Sequence, residues 1–204
     1  MEAYIEKAIS GMRDNGFEVV ELQTAEQAKE YLLSAIQPGE SLGVGGSVSV
    51  RELGVLPALS EKGVNVLLTD GKSKEEAQRL RQESMLADCY LCSVNAVTTS
   101  GQLVLVDGRG NRVGAVCYGP RRLYFVVSHS KVVNGGINTA IGRVKQTAAP
   151  RNACRLKMDT ACARTGVCAG KDCQEKMCCL TLTVDRVPHD RTITVLIVEE
   201  ALGY

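Results

Sequence analysis

The sequence lacks the features that mark a nucleic-acid-binding or membrane-spanning protein. Its 24 basic and 23 acidic side chains nearly cancel, which leaves a formal net charge of +1. Near-neutral charge argues against a surface for nucleic acid. No apolar run approaches the roughly 20 residues that a helix needs to cross a bilayer. We therefore expect no nucleic-acid partner and no direct insertion into a membrane.

The sequence is also short of targeting and cofactor signals. Residues 1–16 hold no charged segment followed by an apolar one, so we expect a cytoplasmic protein with reduced thiols. Neither the P-loop pattern nor the GxGxxG dinucleotide fingerprint is present, which disfavours a plain nicotinamide-dependent dehydrogenase. The two histidines, His129 and His189, have no metal-ligand spacing. The 204 residues, 45% of them hydrophobic, predict one domain over residues 1–204.

The chain begins with alternating helix and strand patterns. Apolar spacing predicts helices over 1–15, 24–38, 50–60 and 73–85, and strands over 17–22, 41–44 and 65–68. This alternation predicts an α/β fold with an open, mostly parallel sheet and helices on both faces.

The second half changes rhythm. Strand-like runs cover 89–97, 102–106, 113–118 and 123–128, and the turn signals between them predict hairpin strands, one of them turning at Asp107-Gly108. We then predict a helix over 136–147 closed by Pro150, and strands over 181–187 and 192–199 that lie near each other.

A glycine block at residues 43–54, GVGGSVSVRELG, follows one predicted strand and opens a helix. Free backbone N–H groups at such a turn can hold an anion. Gly45 and Gly46 would let the main chain approach a ligand closely, and Ser47 and Ser49 could donate to a phosphate or carboxylate. Glu52 is a candidate catalytic carboxylate just beyond. The alternative is a tight turn in which a serine caps the helix and Glu52 lies on the surface.

Polar residues interrupt the apolar strands in the middle of the chain. Asn95 and Thr98 are candidate ligand contacts at a strand end, since ligands bind at that edge of open α/β sheets. Arg112 could bind a carboxylate, and Lys131 is a further candidate for an anion contact. The alternatives are a hairpin with an Asp107–Arg112 ion pair and a surface loop around Lys131.

Cysteine is abundant, and five of the nine cysteines lie between Cys162 and Cys179. Four thiolates joined by loops this short can hold an iron–sulfur cluster or a tetrahedral zinc ion. Because the gaps match no tight zinc-finger or ferredoxin pattern, disulfides and inert thiols remain alternatives. A separate CxxC, Cys89 and Cys92, lies on a predicted strand, where residues three apart face opposite sides. We therefore predict buried strand cysteines there rather than a redox pair.

Several separated motifs together resemble one known family, the LUD-domain proteins, named for lactate utilisation. They are GGSVSVRELG (45–54), ADCYLCSVNAVTTSGQLVLVDGRGNRVGAV (87–116), YGPRRLYFVVSHSKVV (118–133), AAPRNACRL (148–156) and VEEALGY (198–204). The resemblance implies a fold similar to ribose-phosphate isomerases and CoA transferases. It also implies a subunit or accessory of an iron–sulfur system that oxidises L-lactate to pyruvate, with the other subunits as partners.

The cysteine run departs from the family pattern, C-x5-C-x2-C, because Gly170-Lys171 widen the middle gap. We predict a cysteine-rich insertion at about 158–180 and a ligand set of Cys162, Cys168, Cys173 and Cys178, with Cys179 as a possible substitute. The alternative function is a stand-alone, small-anion-binding or transferase-like protein without a cluster. Either form could be a homo-oligomer.

Overall fold

A six-stranded parallel sheet lies at the centre of the computed structural model, which describes residues 2–173 and 176–204. The strands are β1 (Glu18–Leu22), β2 (Ser41–Val44), β3 (Asn65–Leu67), β4 (Cys89–Cys92), β5 (Ala96–Val97), β6 (Leu103–Asp107), β7 (Arg122–Ser128), β8 (Leu180–Val184) and β9 (Thr192–Val198). In the large sheet the order is β1-β9-β7-β4-β2-β3, and every neighbouring pair is parallel. This confirms the predicted α/β fold with a mostly parallel sheet.

Helices connect these strands. They are α1 (Ala3–Asp14), α2 (Ala25–Ala35), α3 (Val48–Glu52), α4 (Val55–Glu61), α5 (Lys74–Glu83), α6 (Asn111–Tyr118), α7 (Ile137–Arg143), α8 (Ala149–Arg155) and α9 (Ala161–Thr165). Thr24 and Gln27 form the predicted capping box at the start of α2. Among the helices described, none is long and apolar enough to cross a membrane.

Helices cover both faces of the large sheet. On one face, Met12 of α1 and Val116 of α6 pack in a core with Phe125 of β7. On the other face, Leu32 of α2 packs in a second core with Val126. Phe125 and Val126 are neighbours that point to opposite sides of β7, and both are buried, which explains the continuous apolar runs of the central strands.

A small antiparallel sheet, in the order β5-β6-β8, packs beside the large one. Its buried residues Ala96 and Val104 contact a long helical segment that runs through α7, a π-helical turn at Val144–Ala148, and α8. The predicted pairing of 181–187 near the last strand is wrong, because β8 pairs with β6.

The prediction of a strand at 113–118 after a hairpin is also wrong, because these residues belong to α6. The Asp107 carboxylate accepts hydrogen bonds from the backbone N–H groups of Arg112 (3.0 Å) and Val113 (3.3 Å). It thus satisfies donors in the first turn, which no residue of the helix can do. A short apolar run such as VGAV fits a strand or a helix equally well, and the Asp107 side chain decides the outcome.

The helical segment does not end before Pro150, contrary to the prediction. The chain passes through the π-helical turn and continues as α8, with Pro150 near its first position. Proline lacks an N–H group and fits at a helix start, so the wider π turn lets the helical segment continue past it.

Candidate functional site

A cavity opens at the carboxyl edge of the parallel sheet, where ligands bind in α/β folds. Its walls come from the ends of three strands and from the end of the described chain: residues 46–49 after β2, 93–95 after β4, Lys131 after β7, and Tyr204 after β9. Arg112 of α6 and Asn152 of α8 complete the lining. The cavity encloses about 380 Å³ of empty space, measured out to its open mouth.

Lys131 is the most unusual residue of this cavity, because only 3% of it is exposed. Its Nζ donates to Ser49 Oγ at 2.7 Å and to Ser93 Oγ at 2.8 Å, and lies 3.5 Å from the carbonyl oxygen of Val94. Ser49 Oγ donates onward to the carbonyl of Leu202, and Ser93 Oγ to that of Val94. Both hydroxyls therefore accept from the amine.

The surroundings of Lys131 disfavour its positive charge. Burial is the main cause that lowers the pKa of the amine to about 7, and the charges of Arg143 and Arg112 lower it further. Glu52 and Cys92 act in the opposite direction. Among residues 2–173 and 176–204, no carboxylate lies within salt-bridge distance of Lys131. The site is therefore rich in cationic groups and has no built-in anion.

The glycine turn after β2 approaches the rest of the site closely. A Cβ atom on Gly45 would lie 2.7 Å from the Cβ of Cys92 and 3.0 Å from the Cγ of Arg112, so a larger residue does not fit. A Cβ atom on Gly46 would meet nothing within 4 Å. Within the described chain, the backbone N–H groups of residues 46–49 donate to no protein acceptor.

Ser47 caps helix α3, as the tight-turn alternative for the glycine block predicted, since its Oγ accepts from the N–H of Val50 at 3.2 Å. Helix α3 is only five residues long, so its dipole is small. The predicted anion attraction of the helix start is therefore weaker than expected. The basic groups at the cavity are side chains, Arg112 and Lys131 in its lining and Arg143 beside it.

Arg112 spans the gap between two strand ends. Its Nη2 donates to the carbonyl of Val106 at 2.6 Å and lies 3.5 Å from Asn95 Oδ1, and its Nη1 lies 3.4 Å from the carbonyl of Ser93. The predicted Asp107–Arg112 ion pair does not form, because Asp107 caps α6 instead. The Arg112 guanidinium thus has no carboxylate within salt-bridge distance among the described residues.

Three residues predicted for this site, Gly45, Thr98 and Glu52, are not among those that line the cavity. Thr98 is buried, and its Oγ1 accepts from the N–H of Gln102 at 3.0 Å, which stabilises the turn between β5 and β6. Glu52 is exposed and accepts from the N–H of Gly203 at 2.6 Å. It anchors the tail after β9 and is not among the residues that line the cavity.

That tail forms one wall of the cavity. Leu202 is buried, and a Cβ atom on Gly203 would collide with Ser49 Oγ. Tyr204 Oη accepts from Arg155 Nε at 3.0 Å and donates to Asn152 Oδ1 at 3.2 Å. The VEEALGY motif therefore supplies part of the site, although its sequence carries no chemical signal beyond the terminal aromatic residue.

Ser93 and Arg143 belong to the site, and the sequence interpretation missed both. Ser93 directly follows β4, and this position after a buried strand is the sequence feature that could have identified it. Arg143 lies on α7, and its Nη1 donates to the carbonyl of Asn95 at 2.6 Å while its Nε donates to the carbonyl of Ser130 at 3.1 Å. It joins the loops after β4 and β7, a contact between distant parts of the sequence.

The cysteine segment, at 158–180, does not line the cavity, but the N–H of Cys179 donates to the carbonyl of Asp107 at 2.9 Å. Residues 174–175 of this predicted insertion are outside the described chain. Cys162 is buried, and Cys168 and Cys173 are partly buried. The pKa of the Cys178 thiol is raised to about 11, first by desolvation and then by the thiolate charges of Cys162, Cys168, Cys173 and Cys179. The other four cysteines therefore act electrostatically on Cys178, while the described residues hold no group of three or more side chains placed to bind a metal ion.

Cys89 and Cys92 are buried on opposite faces of β4, as predicted. Burial raises the pKa of both thiols to about 12. Two protonated thiols that face different cores cannot act as a dithiol pair.

Fold and cavity together define an α/β protein with a cation-lined site at the carboxyl edge of a parallel sheet. The chain belongs to the LUD domain family, whose model matches residues 5–198. At the family level it is therefore a lactate-utilisation-related protein. No curated protein matches the sequence significantly.

One solved structure has a similar fold over nearly its whole length. The chain is similar to the crystal structure of a DUF162 family protein from Deinococcus radiodurans, with 15% identity, 96% coverage of each chain and a TM-score of 0.56. A ribose 5 phosphate isomerase A from Neisseria gonorrhoeae gives 18% identity over 67% of this chain and 66% of its own, with a TM-score of 0.37. The first likeness supports the α/β fold over nearly the whole chain.

Proposed function

We propose that this protein binds a small carboxylate anion in the sheet-edge cavity, as a component of a lactate-utilisation system. The observation that carries the proposal is Lys131, buried at the cavity without a carboxylate partner among the described residues. Burying a cationic group without a counter-charge is costly, and a bound anion would offset that cost.

The rest of the lining supports the same ligand class. Arg112 lines the cavity, and Arg143 acts on it from α7, so a carboxylate would enter a positive field. The N–H groups of residues 46–49 offer further donors to its oxygens.

Titration calorimetry tests this proposal. We expect wild type to bind L-lactate or pyruvate and to bind the uncharged amide of lactate at least about tenfold more weakly, because charge complementarity is lost. Lys131→Met should weaken acid binding by a similar factor. Lys145→Met is the matched control, since Lys145 is exposed and lies outside the cavity. Equal affinity for acid and amide, or no effect of Lys131→Met, would contradict the proposal.

We also propose that the cysteine segment binds an iron–sulfur cluster, with zinc as the alternative metal. Its support is the short spacing of the five cysteines between Cys162 and Cys179, together with the electrostatic effect of the other four on Cys178. The donor set fits, because these thiols supply the sulfur ligands that clusters and structural zinc both use. Cys162, Cys168, Cys173 and Cys178 would hold the group, and Cys179 could replace one of them. A cluster would supply one-electron transfer to other subunits of a lactate-oxidising complex.

Anaerobic purification followed by iron, acid-labile sulfide and zinc measurement tests this second proposal. Iron and sulfide in near-equal amounts, lost in a Cys168→Ser/Cys173→Ser variant, would support the cluster. Stoichiometric zinc would make the segment a structural clip. Neither metal under strictly anaerobic conditions would leave a stand-alone anion-binding protein.

A further inference from the structure

We infer that Lys131 is a nucleophile, and that its amine forms a Schiff base with the carbonyl carbon of a 2-oxo acid in the cavity. The inference rests on the proposed function and names its substrate class. It requires an amine that reaches the ligand, is held in place, and is neutral for part of the time.

The hydrogen bonds of Lys131 leave room for a lone pair. Ser49 Oγ and Ser93 Oγ are its two close acceptors, at 2.7 and 2.8 Å. A neutral amine has two hydrogens, and these two hydroxyls accept both. Among the described residues the Val94 carbonyl is a third acceptor, but it lies farther away, at 3.5 Å, and is a weak one. The neutral amine is therefore satisfied without using its lone pair.

The groups around Lys131 favour that neutral form. Burial and the charges of Arg143 and Arg112 lower the pKa of the amine to about 7, although Glu52 and Cys92 act to raise it. Desolvation beside other cations is how proteins make a lysine nucleophilic near neutral pH.

The same cavity also has groups that suit the carboxylate of a 2-oxo acid. Arg112 and the N–H groups of residues 46–49 line it and suit a carboxylate, while Lys131 needs an electrophilic carbon. A 2-oxo acid carries both groups on adjacent carbons. A hydroxy acid such as lactate carries the carboxylate alone and would bind without reacting.

The step balances without an oxidant or reductant. The Lys131 nitrogen attacks the carbonyl carbon and forms a C–N bond, and the carbonyl oxygen takes up a proton. The amine loses its two protons, and the oxygen leaves as water when the C=N bond forms. Ser93 and Ser49, which already bond the nitrogen, are placed to receive and return these protons.

Reductive trapping tests the inference. Wild-type protein is incubated with pyruvate and cyanoborohydride, and the digest is mapped by mass spectrometry. We expect N6-(1-carboxyethyl)lysine at position 131, at least about tenfold above any exposed lysine, because only this amine is activated. L-lactate in place of pyruvate should give no adduct. Label spread evenly over surface lysines would overturn the inference.

Two variants and one binding measurement separate the possible failures. Lys131→Arg keeps the cation but should not be trapped, whereas Lys145→Met should be trapped as wild type. If calorimetry detects pyruvate binding but no adduct forms at residue 131, the inference falls and the proposed anion site stands. If wild type neither binds pyruvate nor forms the adduct, both fall. Because the wild-type map alone identifies the labelled residue, the result does not depend on the variants folding.

Discussion

The sheet-edge cavity and the cysteine segment differ in how their functional groups are held. In the cavity, strands of one parallel sheet fix the loops, and Lys131 is bonded to two hydroxyls. In the cysteine segment, Cys162 lies in the short helix α9, the other four cysteines lie outside helices, and no described residue of 158–173 or 176–179 lies in a strand. The groups of the cavity are thus held in place by the fold itself, whereas the groups of a thiolate site take their final geometry when a metal binds.

The largest expected effect is the loss of bound metal from the cysteine segment, with ligand binding in the cavity unchanged. Cys168→Ser/Cys173→Ser should lose nearly all bound iron and sulfide, because a cluster needs its full thiolate set. Its affinity for pyruvate should stay within about twofold of wild type, since no cysteine of the segment lines the cavity. Metal analysis and calorimetry on the same preparation measure both. A parallel loss of affinity would show that the two regions are not independent.

A glycine pair tests how tightly the cavity is built. Gly45→Ala should destabilise the protein by about 2 kcal/mol, because the new methyl would overlap Cys92 and crowd Arg112. Gly46→Ala is the matched control and should stay within about 0.5 kcal/mol of wild type, since its Cβ would meet open space. Urea unfolding measures both changes. Similar costs at the two positions would contradict the close approach at Gly45.

The next effect concerns pH and Lys131. The folded protein lowers the pKa of this amine to about 7 from an ordinary value of 10.5, so between these pH values only the unfolded chain holds the proton. Stability of wild type should therefore rise with pH relative to Lys131→Met, by up to about 1.4 kcal/mol per pH unit.

Urea unfolding from pH 7 to pH 9.5 measures this slope. Arg143 and Arg112 lower the pKa and Glu52 raises it, so none of them is changed in the comparison. Lys145→Met should run parallel to wild type. A constant difference between wild type and Lys131→Met over this range would mean that Lys131 is protonated in the folded protein.

The smallest expected effect concerns the tail. Tyr204→Phe removes the hydroxyl that accepts from Arg155 and donates to Asn152. We expect a loss of about 1 kcal/mol in stability, because one side-chain hydrogen-bond group is removed at a half-buried position. Pyruvate affinity should change by less than about threefold. Thermal unfolding and calorimetry measure these values, and a tenfold loss of affinity would assign the hydroxyl a direct role in binding.

Local patterns predicted much of the fold. The apolar periods of the first 92 residues give the strands β1 to β4 and their helices, because each element there buries a regular face. The prediction failed at 113–118, where the Asp107 side chain starts a helix in a run that also suits a strand. It failed again at β8, whose partner β6 is distant in the sequence.

Part of the candidate site was likewise predictable from the sequence, and part was not. Gly46, Ser47 and Ser49 meet Asn95, Arg112 and Lys131 at one cavity, as the rule for strand ends predicts. Thr98 and Glu52 have other partners, the Gln102 turn and the Gly203 tail. Arg143 joins the site only through carbonyls of distant loops, and no local pattern marks such a contact.

The central claim is that the cavity, and not the cysteine segment, holds the substrate. Side-by-side calorimetry of pyruvate with wild type, Lys131→Met and Cys168→Ser/Cys173→Ser tests it most directly. We predict that the cysteine variant binds as wild type does and that Lys131→Met binds at least about tenfold more weakly. Normal binding by Lys131→Met, together with lost binding by the cysteine variant, would contradict the account.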